Sequence, residues 1–239
     1  MPSLFLPPSA FSSSEIIIEN EQAHYLTNVL RLQKGQNITL FDGCGNRYHA
    51  RCVSFTKKEV RLIVMSTEKV DSLSPSLSII LAQAVIKSSK MDLIIEKATE
   101  LGVNKIIPLI TERTQIRQTG RLTRWNTIAR SAAQQSSRAF IPHILSPQSF
   151  KDFLLNDYKG IVLWEKESSR NFKRILKSFH SHDTLTLVIG PEGGFTDKEV
   201  EMAQTHSLTV TSFGPRILRT ETAAISALSI VQYELGDLK

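Results

Sequence analysis

Two glycine-bearing turns carry the residues best suited to chemistry, Ile189-Gly190-Pro191-Glu192-Gly193-Gly194 and Phe213-Gly214-Pro215-Arg216-Ile217-Leu218-Arg219-Thr220-Glu221-Thr222-Ala223. Glycine tolerates φ > 0 and has no side chain, so such turns let backbone N–H and C=O groups approach a ligand closely. Neither G-x-x-x-x-G-K-[ST] nor G-x-G-x-x-G occurs, which removes the usual phosphate cradles. Bare donors and acceptors from two adjacent turns suit a flat, uncharged group bonded along its edge, such as adenine. The glycines could equally serve only tight turns, and spacing leaves both readings open. Arg219 and Glu221 are the charged candidates beside the second turn. Glu221 could instead favour the dipole of a helix capped by Thr220. Glu192 reads first as a brace that accepts backbone N–H groups within the first turn, and alternatively as a residue near the bound ligand.

Strands and helices must hold these turns in place. Leu185, Leu187, Val188 and Ile189 form a short apolar run with the composition of a buried parallel strand. Thr196 to Glu199 spells a capping box, so a helix begins there. Leu208, Val210 and Phe213 lead into the second turn, and a helix from Thr222 to Leu235 leads out, apolar or small on nearly every side. Upstream, Leu77 to Val85 and Lys105 to Ile110 read as strands around a helix with Met91, Ile94, Ile95, Ala98 and Leu101 on one stripe, closed by Gly102. A short helix at Phe150 to Asn156, a strand at Gly160 to Trp164 and a helix at Asn171 to Phe179 continue the alternation. Repeated units of this kind predict an α/β domain with a parallel sheet, whose ligands sit at the carboxyl ends of the strands.

One stretch is singular in charge. From Arg113 through Lys151 there is no Asp or Glu, while Arg113, Arg117, Arg121, Arg124, Arg130 and Arg138 all fall inside it. The part around Leu122, Trp125, Ala129, Ala132 and Ala133 is helical by spacing. A solvated helix normally mixes signs, so arginines alone argue for phosphate contact, which their forked guanidinium makes in a bidentate way.

The motifs Ile189-Gly190-Pro191-Glu192-Gly193-Gly194-Phe195, with Glu199 following, and Gly214 through Ala223 resemble those of the bacterial 16S ribosomal RNA uracil-N3 methyltransferase family, of the SPOUT (trefoil-knot) superfamily. The resemblance covers both motifs nearly residue for residue and is compatible along the rest of the chain. It implies S-adenosylmethionine bound in a knotted carboxyl-terminal domain, a homodimer, a small-subunit 16S ribosomal RNA substrate and a cytoplasmic location. The cofactor set it implies is Leu163, Trp164, Ile189, Gly190, Pro191, Glu192, Gly193, Phe213, Gly214, Ile217, Leu218, Thr222 and Ala223. Methyl transfer from a sulfonium to a nitrogen is an in-line displacement that must also remove a proton. Uracil N3–H is a weak acid, so a base or a cation that stabilises the forming anion is required, and Arg219 and Glu221 become the catalytic candidates. Relatives often begin with an Arg followed by aromatics, whereas this chain has Ser3, Leu4 and Phe5.

The first 72 residues read differently. Strands at Glu15 to Ile18, Asn37 to Phe41, Arg47 to Val53 and Glu59 to Met65, with a helix capped by Asn20, predict a small β-barrel. The resemblance makes it a PUA-like RNA-binding domain, and Arg31, Lys34, Arg47, Arg51, Lys57, Lys58 and Arg61 are its candidate contacts. A polar, proline-bearing linker from Asp71 to Ser78 sets the division at 1–72 and 73–239. The net charge of +6 favours an anionic partner. Cys44 and Cys52 have no metal spacing, the six histidines are scattered, and no metal is expected. No basic leader and no apolar run of about 20 residues are present, so no membrane span is expected.

Overall fold

The structure is a computed structural model describing residues 3–56, 58–70, 77–116, 120–180 and 183–238. Most of the linker, together with Lys57 and Arg117, lies outside these residues. The chain separates into two compact units: Met1–Ser72 with Ala133–Ile141, and Leu73–Ala132 with Pro142–Lys239. A single cut after residue 72 therefore omits one excursion of the chain.

In the amino-terminal unit β1 (Ser3–Phe5), β2 (Glu15–Glu19), α1 (Asn20–His24), β3 (Asn37–Phe41), β4 (Asn46–Phe55) and β5 (Glu59–Lys69) follow in order. They build a curled five-stranded sheet, β1-β3-β4-β5-β2, with β1 parallel to β3 and the remaining pairs antiparallel. Alternation puts Ile16 and Ile18 inside and Ile17 outside. Leu26, Ile38, Leu40, Cys52 and Leu62 complete the core. Asn20 does not cap α1: Glu19 occupies that position, and Asn20 takes φ +57°, a region its short polar side chain tolerates. Several candidate RNA contacts are engaged within this unit. Arg47 donates to Ser137 O (2.7 Å), Arg51 to Asn37 (3.2 Å), and Arg61 to Glu59 (2.6 Å).

The second unit runs β6 (Ser78–Ala84), α2 (Ser88–Glu100), β7 (Lys105–Ile110), α3 (Leu122–Gln135), β8 (His143–Ile144), β9 (Gln148–Ser149), α4 (Phe150–Leu154), β10 (Gly160–Leu163), α5 (Phe172–Leu176), β11 (Thr184–Ile189), α6 (Asp197–Gln204), β12 (Leu208–Thr211) and α7 (Thr220–Leu235). The last turn of α3 belongs to the first unit. The sheet is wholly parallel, in the order β12-β10-β11-β6-β7-β8, with β9 also on β7. Strands β6, β10 and β11 are buried without alternation because both faces are covered. One core joins Val162, Val188 and Val210 to Phe150, Phe153, Phe195 and Val200. Helix α7 buries Ala224, Ala227, Leu228 and Val231, packs on α2, and its Gln232 donates to Leu101 O (2.8 Å) at the end of α2.

Strands β11 and β12 are consecutive in sequence but not neighbours. Strand β10 lies between them, with Leu163 opposite Ile189 on one side and Thr211 on the other. The two glycine turns therefore flank the end of β10 rather than abut, and that end becomes part of whatever they build.

Candidate functional site

The three strand ends open into a cavity of about 740 Å³. Its floor comes from Leu163 and Trp164 after β10 and from Ile189, Gly190, Pro191, Glu192 and Gly193 after β11. The opposite wall comes from Phe213, Gly214, Ile217, Leu218 and Arg219, with Ala223 one turn into α7. Twelve of the thirteen residues of the implied cofactor set thus meet here. Thr222 does not: it is exposed on the first turn of α7 and lines no part of the cavity. Glu221 also lies off the lining, while Arg219 is on it and exposed.

Local physics explains the shape. Gly214 sits at φ +104°, and an added Cβ there would meet nothing within 4 Å, so the need for glycine at this turn is conformational. At Gly190 an added Cβ would fall 3.1 Å from the ring of Phe195, which is buried and packed on Phe150 at a centroid distance of 5.3 Å. Thr220 does not cap α7. Arg219 holds the cap position without a side-chain hydrogen bond, and the Thr220 hydroxyl donates to Gly190 O, tying the second turn to the first.

The brace assigned to Glu192 belongs to Glu199. Its buried carboxylate accepts N–H groups from Thr196 (2.9 Å) and Glu112 (2.8 Å), combining the capping box with a clamp on the loop after β7. Glu192 instead faces the Lys90 ammonium at 4.0 Å. Lys90 also meets Glu221 Oε1 at 3.3 Å, and Glu221 Oε2 is buried without a hydrogen-bond partner. Lys90 and Glu165, which no motif in the sequence marks, line the cavity, and so does Arg216 of the second turn. Lys90 was legible only as one more polar residue off the apolar stripe of α2; its place opposite Glu192 depends on how α2 packs.

The residues fit a ligand with a flat edge-bonding group and an apolar body. Gly214 leaves open space where a side chain would intrude, and Trp164 Nε1 is a buried donor with no partner, in a residue that lines the cavity. The exposed Ile217, at 83 %, stands on the lining as an apolar group without a protein surface to cover. Lys166 hydrogen-bonds Asp197 (2.8 Å), which holds the Asp197 carboxyl below its ordinary value.

The arginine stretch divides. Arg124 is engaged by Asp92 of α2 (2.8 and 2.9 Å), a pairing that raises its already high pKa, so the acid missing from the sequence run is supplied across space. Arg113 donates to Gly193 O (2.6 Å), which puts it beside the first glycine turn. Arg121 and Arg130 are exposed on or next to α3, and Arg138 is half-buried in the amino-terminal unit. Among the described residues, no group of three or more His, Cys, Asp or Glu could hold a metal ion, and no helix is long and apolar enough to cross a membrane.

Comparison with known proteins agrees with this architecture. A family model described as an RNA methyltransferase domain matches residues 73–232, and one described as an RNA methyltransferase PUA domain matches residues 18–65. The chain is similar to the ribosomal RNA small subunit methyltransferase E of Bacillus subtilis, 32% identical over 229 residues, covering 91% of this chain and 89% of that one. Against the protein of the same name from Rickettsia conorii the identity is 33% over 219 residues, covering 90% and 88%. The crystal structure of a ribosomal RNA small subunit methyltransferase E from Neisseria gonorrhoeae bound to S-adenosyl methionine superposes with a TM-score of 0.86 at 32% identity, over 100% of both chains. A Legionella pneumophila protein solved in complex with the same cofactor gives a TM-score of 0.85 at 32% identity, over 99% of both chains.

Proposed function

The chain belongs to the ribosomal RNA small subunit methyltransferase E family, and on that footing we propose that it uses S-adenosylmethionine to methylate N3 of a specific uridine in 16S ribosomal RNA. The observation that carries the reading is the Thr220 to Gly190 hydrogen bond, which closes two glycine turns into one cavity and leaves Arg219 on its exposed lining. Backbone groups of Ile189 to Gly193 and Phe213 to Leu218 hold the nucleoside end of the cofactor, with Trp164 and Ile217 beside it. When bound, the cofactor supplies a methyl group on a sulfonium. Arg219, at the start of α7 and on the cavity lining, stabilises the negative charge that develops on the uracil as its N3 proton passes to solvent. The knotted path, the homodimer, the small-subunit context and the cytoplasmic location implied by the resemblance belong to the same reading, as does phosphate contact by Arg113, Arg117, Arg121, Arg130 and Arg138.

The test is to delete the gene, isolate small subunits, treat them with purified protein and labelled cofactor, and digest the RNA to nucleosides. Label in 3-methyluridine from 16S RNA is the expected result. Label in transfer RNA or in a 2′-O-methyl nucleoside, or no transfer at all, overturns the assignment.

A further inference from the structure

One charged cluster of the cavity has no part in the step assigned to Arg219. The Lys90 ammonium lies 3.3 Å from Glu221 Oε1 and 4.0 Å from Glu192 Oε1. Lys90 and Glu192 line the cavity with their side chains about one-third exposed (31% and 36%), whereas Glu221 is off the lining and only 14% exposed. Glu221 therefore reaches a ligand only through Lys90. With one donor directed at Glu221 the ammonium keeps two more, and 4.0 Å is too long for a hydrogen bond to Glu192. The wall thus presents a cation and an anion side by side, neither consumed by the other.

Such a pair complements a zwitterion. A phosphate brings only negative charge and would meet Glu192 along with Lys90; a lone cation would meet Lys90 along with Glu192. Resting on the cofactor assignment above, we infer that Lys90 and Glu192 form the subsite for the amino-acid end of S-adenosylmethionine, Lys90 taking the α-carboxylate and Glu192 the α-ammonium. Glu221 is a positioning residue that fixes the Lys90 ammonium. Backbone at the glycine turns reads the flat nucleoside, and this charge pair reads the other end of the same ligand.

Calorimetric titration of the full chain with two probes tests the inference: S-adenosylhomocysteine, which carries the zwitterion, and 5′-methylthioadenosine, the same nucleoside thioether without it. Lys90→Met and Glu192→Gln should each weaken S-adenosylhomocysteine about tenfold to hundredfold, the range of a lost charge-assisted hydrogen bond, and leave 5′-methylthioadenosine unaffected. Glu221→Gln should weaken S-adenosylhomocysteine alone, and Glu221→Gln added to Lys90→Met should cost nothing further, because the two act through one ammonium. Equal losses for both probes, additive losses in the double variant, or unchanged S-adenosylhomocysteine binding with reduced RNA affinity would each overturn the inference. If the unaltered protein binds neither probe, the cofactor assignment fails as well; if it binds both and the variants match it, only the inference fails.

Discussion

Arg219 shows how a single residue can be separated from its surroundings. It occupies the cap position of α7 yet contributes no side-chain hydrogen bond there, so truncating it removes charge from the cavity without undoing the helix start. Arg219→Ala should lower single-turnover methylation at saturating RNA and cofactor by ~10²- to 10³-fold, the loss seen for an oxyanion donor, while thermal unfolding shifts little. A rate equal to wild type under those conditions would show that Arg219 only anchors substrate. The two glycines differ in what they forbid. Gly214→Val strains a backbone at φ +104° and fills open cavity, whereas Gly190→Val presses on Phe195 and so disturbs the core too. Both should abolish cofactor binding and both should lower stability by about 1–3 kcal/mol, Gly190→Val through packing and Gly214→Val through backbone strain; calorimetric titration and chemical denaturation measure the two losses.

At the scale of elements, the cavity exists because α7 is fastened to the end of β11. Thr220→Val keeps the shape and removes the hydroxyl that Gly190 O accepts, which should cost about 1 kcal/mol of stability and loosen cofactor binding. Thr220→Ser should restore both; if Thr220→Val binds cofactor as tightly as wild type, the tie does not shape the site. The start of α6 was legible in the sequence, since a capping box is a four-residue local pattern, and Thr196 and Glu199 form it as expected. The second duty of Glu199, clamping Glu112 from 87 positions away, was not legible, because no local rule reports which loop comes to lie beside a helix. The same limit applies to Arg124. Its acid-free neighbourhood in sequence is a poor guide to its neighbourhood in space, where Asp92 of α2 engages it.

For the whole molecule the charge argument becomes a comparison. Arg121→Ala with Arg130→Ala should weaken RNA binding and flatten its salt dependence by about one unit of slope per lost phosphate contact. Arg124→Ala should also lower stability, because it strands Asp92, whose Oδ1 already lacks a partner. An unchanged slope in the Arg121→Ala, Arg130→Ala double variant would refute phosphate contact there. Helix α7 leaves Ile230 and Tyr233 exposed beside its buried stripe, so the proposed homodimer should cover that face, and sedimentation of Tyr233→Glu should report a monomer where wild type reports a dimer. By itself the sequence determined the class of the fold and the two motifs. Unbroken apolar runs, a capping box and glycines after strands are local consequences of burial and backbone sterics, and the paired motifs carried the family. Only the tertiary structure decided that β10 separates β11 from β12, that Trp164 therefore lies between the turns, that Thr222 stays off the cavity, and that Lys90 faces Glu192. These facts depend on strand order and helix packing, which are set by contacts between residues far apart in the chain and leave no periodic trace along it.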